Sequence, residues 1–282
     1  MSWYDKYLTI YGKPFSEVPQ DVIDSTRQRL AALQSDEPLA SIVIIAYNEE
    51  THLQACLWAI SEIRCKYPVE IIGVDNSSSD RTVEIYEQSG IPYYKERQRS
   101  CGYARQCGLR HARGRYYFDV DSDTLYPPRY YELMLERLMK SGVVAVSATW
   151  SYVSDDSHSK LGLRLYELSR DLFLWVQHFK RPELSVRGLV FAYDAELGKK
   201  VGYRVDIIRG EDGSMALALK KYGKIKFVHD CRCRAVTDYS TISNQSIWRS
   251  FLLRVKTQVH GLSRIFYKTD HYEDAEENLL KS

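Results

Sequence analysis

The sequence predicts an α/β fold, a doubly wound, mostly parallel sheet flanked by helices, with helical N- and C-terminal extensions. Three observations carry that expectation. From Leu39 onward, short β-branched runs alternate with amphipathic stretches. Four successive strand, loop and helix units follow one another, the connection that parallel strands need. The chain is also long enough, at 282 residues, to bury a full core as one large α/β domain.

Residues 1–38 are polar and helical in pattern, with Tyr4, Tyr7, Leu8, Val22, Ile23, Leu30 and Leu33 as packing points, and are expected to form an N-terminal extension. The body spans 39–235. Its strands are SIVIIA (41–46), VEIIGV (69–74), IPYY (91–94), RYYFDV (115–120) and VVAVSATW (143–150). Helices are expected over 49–63, over 78–90 and 102–114, each of the latter two ending in a glycine cap, and over 127–142 with Pro128 just inside its start. Beyond Trp150 the stretch 161–179 carries Leu165, Leu168, Leu172 and Val176 on one stripe, which predicts a helix packed through that stripe on the body. Then come RGLVFAYD (187–194), a loop, a helix beginning EDGSMALAL with Met215, Leu217, Ala218 and Leu219 facing the core, and a short strand KIKFVH. Residues 236–282 form a C-terminal amphipathic region, with Ile247, Phe251, Val255, Val259, Leu262 and Phe266 at helical spacing among Arg249, Arg254, Lys256 and Arg264.

Composition excludes several classes. Hydrophobic residues at 44%, charged at 27% and only eight prolines leave no room for a disordered or fibrous chain. Thirty-nine Lys and Arg against 37 Asp and Glu give a net charge of +2, which is no basic field for nucleic acid. The 22 tyrosines suit surfaces and clefts, where a ring packs and its hydroxyl bonds to something polar. The first twenty residues carry charges too early for a secretory signal, and no apolar run approaches a membrane span, so a cytoplasmic protein is expected. Six cysteines without a C-x-x-C pair argue for reduced thiols, with Cys231 and Cys233 at neighbouring strand positions.

In an open α/β sheet the ligand site lies beyond the carboxyl ends of the strands. Three of those ends are polar or acidic here: AYNEE (46–50), VDNSSSD (74–80) and DVDSD (119–123). Clustered carboxylates repel one another unless a cation neutralises them, so Asp119, Asp121 and Asp123 point to Mg2+ or Mn2+ and, through it, to a diphosphate; an isolated D-x-D is otherwise better read as a solvated loop. Asp75 is placed to accept hydrogen bonds from a base or ribose, whereas helix capping accounts for Asp80. Tyr47 can stack on a nucleobase, and Asn48 with Glu49 or Glu50 opens a helix, an arrangement that alone reads as a polar helix start. Arg97, Arg99 and Arg105 lie near a helix start that suits diphosphate oxygens. Glu211 or Asp212, in RGED, supplies a carboxylate able to deprotonate a hydroxyl, with an ordinary acidic helix turn as the even alternative. His229 closes a strand within reach of a metal or diphosphate, a position at which a single histidine is more often structural.

SIVIIAYNEE, IIGVDNSSSDRT, GYARQCGLRHARGRYYFDVDSD and RGEDGSMALALKKYGKI, in that order, resemble glycosyltransferase family 2, the inverting transferases of the GT-A fold, over about residues 39–230. The resemblance implies a nucleotide-diphosphate sugar donor, a UDP-sugar foremost, a divalent cation, and displacement with inversion at the anomeric carbon. It implies a nucleotide-binding half over 39–125 and an acceptor-binding half over 126–235. It assigns donor contacts to Ala46, Tyr47, Asn48, Glu49, Asp75, Arg105, Asp119 and Val120. It assigns metal ligation to Asp121, with Asp123 and His229 as further candidates. Asp212 takes the place of the family's base, with Glu211 in support. No Q-x-x-R-W motif follows the base, which implies transfer of a single sugar to a hydroxyl of a glycan or lipid-linked saccharide. The basic, aromatic tail raises a peripheral contact with the inner face of the plasma membrane, while packing of its apolar stripe on the catalytic domain is the preferred reading of the same pattern. The rival readings are a nucleotidyltransferase and a sugar-nucleotide-binding protein without catalysis; a dinucleotide-dependent oxidoreductase lacks its G-x-G-x-x-G after the first strand.

Overall fold

The computed structural model describes residues 2–153, 160–207 and 210–238. The predicted C-terminal helix lies wholly outside the described residues, and of the region expected to begin at 236 only 236–238 are described, where Val236 and Thr237 belong to a strand. Two short 3-10 turns, Tyr7–Thr9 and Phe15–Glu17, precede α1 (Gln20–Leu33). Then follow β1 (Ala40–Ala46), α2 (Leu53–Ser61), β2 (Val69–Asp75), α3 (Thr82–Ser89), β3 (Tyr93–Lys95), α4 (Cys101–His111) and β4 (Tyr116–Asp121). The second half comprises β5 (Thr124–Leu125), α5 (Tyr130–Leu138), β6 (Val143–Ala148), β7 (Trp150–Tyr152), α6 (Lys160–Lys180), β8 (Phe191–Asp194), α7 (Ala195–Val201), α8 (Glu211–Leu219), β9 (Lys224–Val228) and β10 (Ala235–Thr237).

The main sheet has the order β3-β2-β1-β4-β8-β6-β9 and is parallel except for β8, which runs against both its neighbours. From β1 the chain winds outward to β2 and β3, then returns across the sheet to β4. That reversal between β1 and β4 is where an open sheet parts to form a crevice. Register fixes what stands there: Ala46 lies beside Asp75, and Ile45 beside Asp121. Three polar strand ends far apart in sequence thus meet on one edge, as expected. A second sheet, β5-β10-β7, was not foreseen, because β5 and β7 are only two and three residues long.

Period-two alternation sorts the strand side chains into two cores. Ile42, Ile44, Phe118 and Val120 face α2, α5 and the N-terminal segment; Val43, Ile45, Val74 and Tyr117 face α4, α7 and α8. Tyr7, Ile10, Phe15, Ile23 and Leu30 are buried in the first of these cores, so the N-terminal extension is part of the sheet's own packing. Gln34 completes it by bonding the Ile71 carbonyl and N–H at 2.8 and 3.0 Å.

Several local expectations are corrected. Gly90 caps α3 with φ 73°, but α4 ends at Ala112 in extended backbone, and Gly114 serves close approach instead: a Cβ there would meet the Ala40 carbonyl carbon at 2.6 Å. Pro128 lies in the turn before α5 rather than within it. Cys231 and Cys233 occupy a 3-10 turn, not a strand. Many tyrosines are core residues: Tyr7, Tyr86, Tyr117, Tyr126, Tyr130, Tyr131 and Tyr193 are fully buried. The stripe of α6 is also reversed. Leu165, Leu168, Leu172 and Val176 face outward, while Leu163, Tyr166, Arg170, Leu174 and Gln177 face the body.

Candidate active site

The loops after β1 and β2 clasp each other at the switch point. Asn48, held at φ 53°, donates its N–H to Ser78 Oγ and accepts from the Ser79 N–H at 2.8 Å. The Glu49 and Glu50 N–H groups donate to Thr82 Oγ1 and Asp80 Oδ2. Asp80 is structural but is not the cap expected of it: the N-cap position is Arg81, and Asp80 Oδ1 instead accepts the Thr82 N–H at 3.0 Å. Asp75 is buried at the end of β2 and accepts the Ser78 N–H at 3.2 Å. Tyr47 projects from this clasp, 41% exposed, with the Arg99 guanidinium 4.2 Å from its ring centre. The Glu49 carboxylate bonds His52 Nδ1 at 2.9 Å.

Alternation in β4 sends Asp119 and Asp121 to the α4 face and Val120 to the opposite core. Ser100 starts α4 by accepting the Tyr103 N–H, and one turn later Arg105 points at those two aspartates. Its Nη1 lies 3.0 Å from Asp119 Oδ1 and its Nη2 2.7 Å from Asp121 Oδ1. From the other side α8 brings Glu211 and Asp212, whose nearest oxygens lie 3.4 and 3.8 Å from Arg105 Nε. One guanidinium therefore gathers four carboxylates from two elements, and it is itself buried, at 3% exposure. A Cβ at Gly188 would come within 2.0 Å of Arg105 Nη2, so only glycine leaves room for this arrangement.

The carboxylates differ in their surroundings. Asp119 is closed off from solvent and accepts the Tyr203 hydroxyl at 2.6 Å; burial pushes it up to about 7 against the pull of Arg105. Glu211 is raised well above the ordinary range by burial and then by Asp212, with which it shares a hydrogen bond. Asp212 accepts the Gly188 N–H at 2.6 Å, which fixes its orientation. The Asp121 side chain retains 31% exposure and is the member of the pair on β4 that reaches the cleft. Asp123 takes two hydroxyls, Thr124 at 2.9 Å and Thr237 at 3.2 Å, and its carbonyl accepts Tyr11 Oη at 2.5 Å. Burial, then Asp121 and Glu49, push Asp123 up to about 7.

The structure thus brings together Ala46, Asp75, Arg105, Asp119, Asp121, Glu211 and Asp212, and separates others. Arg105 lies beneath the carboxylates rather than in the open cleft where diphosphate oxygens were expected to meet it. Asp119 and Val120 have no exposed side chain to offer a donor, the first consumed by Arg105 and Tyr203, the second turned into the far core. His229 lies against Phe227, ring centres 4.8 Å apart, with Asp171 and Arg234 as its charged neighbours rather than Asp121 or Asp123. Among the described residues no group of three or more His, Cys, Asp or Glu side chains is placed to hold a metal. Sequence reasoning missed Tyr203, Gly188 and Tyr11. Tyr203 and Tyr11 stand in loops or turns without periodicity, and Gly188 is recognisable only once Arg105 is seen against it.

A sequence profile for Glycosyl transferase family 2 matches residues 41–193. An uncharacterised glycosyltransferase of Rickettsia prowazekii is 24% identical over 232 residues, spanning 77% of this chain and 73% of that protein. Among solved structures, a mannosyltransferase of Pyrobaculum calidifontis in complex with GDP-Man and Mn2+ is similar with a TM-score of 0.58 at 18% identity, over 88% of this chain and 73% of that one. Glucosyl-3-phosphoglycerate synthase of Mycobacterium tuberculosis, in complex with Mn2+, UDP-Glc and phosphoglyceric acid, gives 0.53 at 20% identity, over 90% and 87%. At these identities the structural likeness is one of fold.

Proposed function

The chain belongs to glycosyl transferase family 2 and has the GT-A fold, and on that premise we propose that it moves one sugar, with inversion, from a nucleotide-diphosphate donor to a hydroxyl acceptor. The observation that carries this reading is the convergence of Asp121, Glu211 and Asp212 around Arg105 at the mouth of the switch point, with Asp212 aimed by the Gly188 N–H.

Each group has a task that follows from its surroundings. Tyr47, exposed beside Arg99, offers a ring to the base, and Asp75 offers its carboxylate at the adjacent strand end to base or ribose. Asp212 accepts the acceptor's proton as its oxygen attacks the anomeric carbon. Glu211 holds a proton readily and bonds its neighbour, which keeps a second negative charge away from the base. Arg105 neutralises the acids that face the donor, so that a diphosphate approaches a site already relieved of much of its repulsion. The donor set suits a hard divalent cation. Asp121 is exposed on one side and Asp123 is under electrostatic pressure from its acidic neighbours, and such ions bind through one or two carboxylates completed by substrate phosphates. Asp121 and Asp123 would hold Mn2+ or Mg2+, which when bound stabilises charge on the departing nucleoside diphosphate.

Mass spectrometry after incubation with nucleotide sugars tests the reading: free nucleoside diphosphate with a glycosylated acceptor is expected. Tight donor binding without turnover favours a binding protein instead. Asp212→Asn should keep donor affinity, read by thermal shift with and without Mn2+, and lose transfer by roughly a hundredfold or more. Transfer at the original rate would remove Asp212 from its assigned role.

A further inference from the structure

The most apolar face of α6 points away from the protein. Leu165, Leu168, Leu172, Trp175, Val176 and Phe179 are between 46% and 69% exposed. They recur at the three-, four- and seven-residue intervals of one helical stripe, and Trp175 and Phe179 lie edge to face at 4.9 Å. A soluble surface rarely leaves so many large apolar side chains contiguous, and such a patch marks an interaction site.

Charge identifies the partner. The exposed charged residues flanking the stripe on α6 are cations, Arg164 and Lys180. The helix's two acids within its described face are turned inward: Glu167 accepts from Ser151 Oγ and the Tyr152 N–H, and Asp171 pairs with Arg170 and Arg234. The chain leaves the described structure at Asp238, just beyond β10, which pairs with β7 and is tied to α6 through Arg234. From Ile247 to Lys268 the sequence that follows carries five cations and no acid, on the same apolar spacing. Both segments carry an excess of cations on an apolar spacing, and a second copy of α6 would bring like charges together. Both suit a surface of opposite charge.

We infer that the outward face of α6 docks on an anionic lipid bilayer, its apolar stripe entering the headgroup boundary and its cations meeting the lipid charge. The docking lies along the surface: among the described residues no helix is long and apolar enough to cross a membrane. The helix runs through the 3-10 turn Pro182–Ser185 into Gly188, which orients Asp212. Docking through α6, which leads by that turn to the residue that orients Asp212, favours an acceptor carried on lipid, a consequence that rests on the proposed transfer.

Co-sedimentation of the full chain with vesicles of equal parts phosphatidylglycerol and phosphatidylcholine, against phosphatidylcholine alone, decides the matter. The chain is expected to sediment with the anionic vesicles and to be released by salt. Combined Leu168→Glu, Leu172→Glu and Phe179→Glu should weaken binding by roughly tenfold or more, without lowering the melting temperature, because these side chains are exposed. Absence of sedimentation, or equal sedimentation of the variant, overturns the inference. A dimer in light scattering that the variant abolishes, with no vesicle binding, assigns the face to a second copy and also overturns it. Nucleoside diphosphate release measured without vesicles is read separately, so that failure of transfer and failure of docking are told apart.

Discussion

Arg105 shows how a single side chain can organise a site. Four carboxylates within 4 Å of one guanidinium would be untenable without it, since each ion taken from water costs several kcal/mol unless paired. Arg105→Met should destabilise the fold by about 3–5 kcal/mol in urea unfolding, the cost of leaving buried charge uncompensated. Arg105→Lys should rescue little of it, because a point charge cannot reproduce the planar fork that reaches β4 and α8 together. Equal stability of wild type and Arg105→Met would show that the acids are neutralised by their own protons. At this scale the acids and Arg105 were legible as candidates, but their pairing was not. DVDSD and RGED stand out in the sequence by composition, whereas the pairing between positions 105 and 211 spans 106 residues and leaves no local trace.

At the scale of elements, α6 is the instructive case. Periodicity identified a helix over 161–179 and an apolar stripe within it, and the helix is there. The inference that the stripe faces inward failed, because hydrophobicity sets which side chains share a face but not which neighbour that face meets. Here the inward face is the mixed one, with Arg170 over the Trp150 ring at 4.2 Å and Ser185 Oγ donating to the Leu174 carbonyl at 3.1 Å. His178 belongs to that inner side. Burial, then the field of His229 and Lys226, lower it to about 4, with Glu183 opposing. The unfolded chain therefore binds a proton near pH 6.5 that the fold refuses. The contribution of His178 is whole above about pH 6.5 and is lost as the pH falls towards 4. His178→Gln should flatten the melting temperature between those limits; an unaltered acid slope would show that the imidazole does not face this environment.

Across the whole molecule, the N-terminal segment and the sheet share one hydrophobic core. Tyr7 packs on Trp58 at 5.1 Å and donates its hydroxyl to Glu62, while Arg29 pairs with the same carboxylate. Tyr11 reaches the Asp123 carbonyl, linking this segment to the acidic loop. Leu30, fully buried, sits where α1 meets α2 and β2, so Leu30→Ala should cost about 2–5 kcal/mol. Unfolding should remain a single transition, since the buried residues of the segment belong to the sheet's own core. Denaturant curves followed by tyrosine fluorescence and by circular dichroism check this: two separate transitions would mean that the extension folds independently.

What the sequence determined by itself was local and periodic. It specified the strands from 40 to 121, the helices between them, the polar ends of β1, β2 and β4, and the family pattern that those ends carry. Such features are written in alternation, capping and turn chemistry within a few residues, and they survive without knowledge of the rest of the chain. The tertiary structure decided what depends on contacts between distant segments: the antiparallel insertion of β8, the small second sheet, the burial of Arg105 and Asp119, the separation of His229 from the acidic cluster, and the outward turn of α6. These follow from the packing of whole elements against one another, where the free energy belongs to pairs of surfaces and no single stretch of sequence contains both.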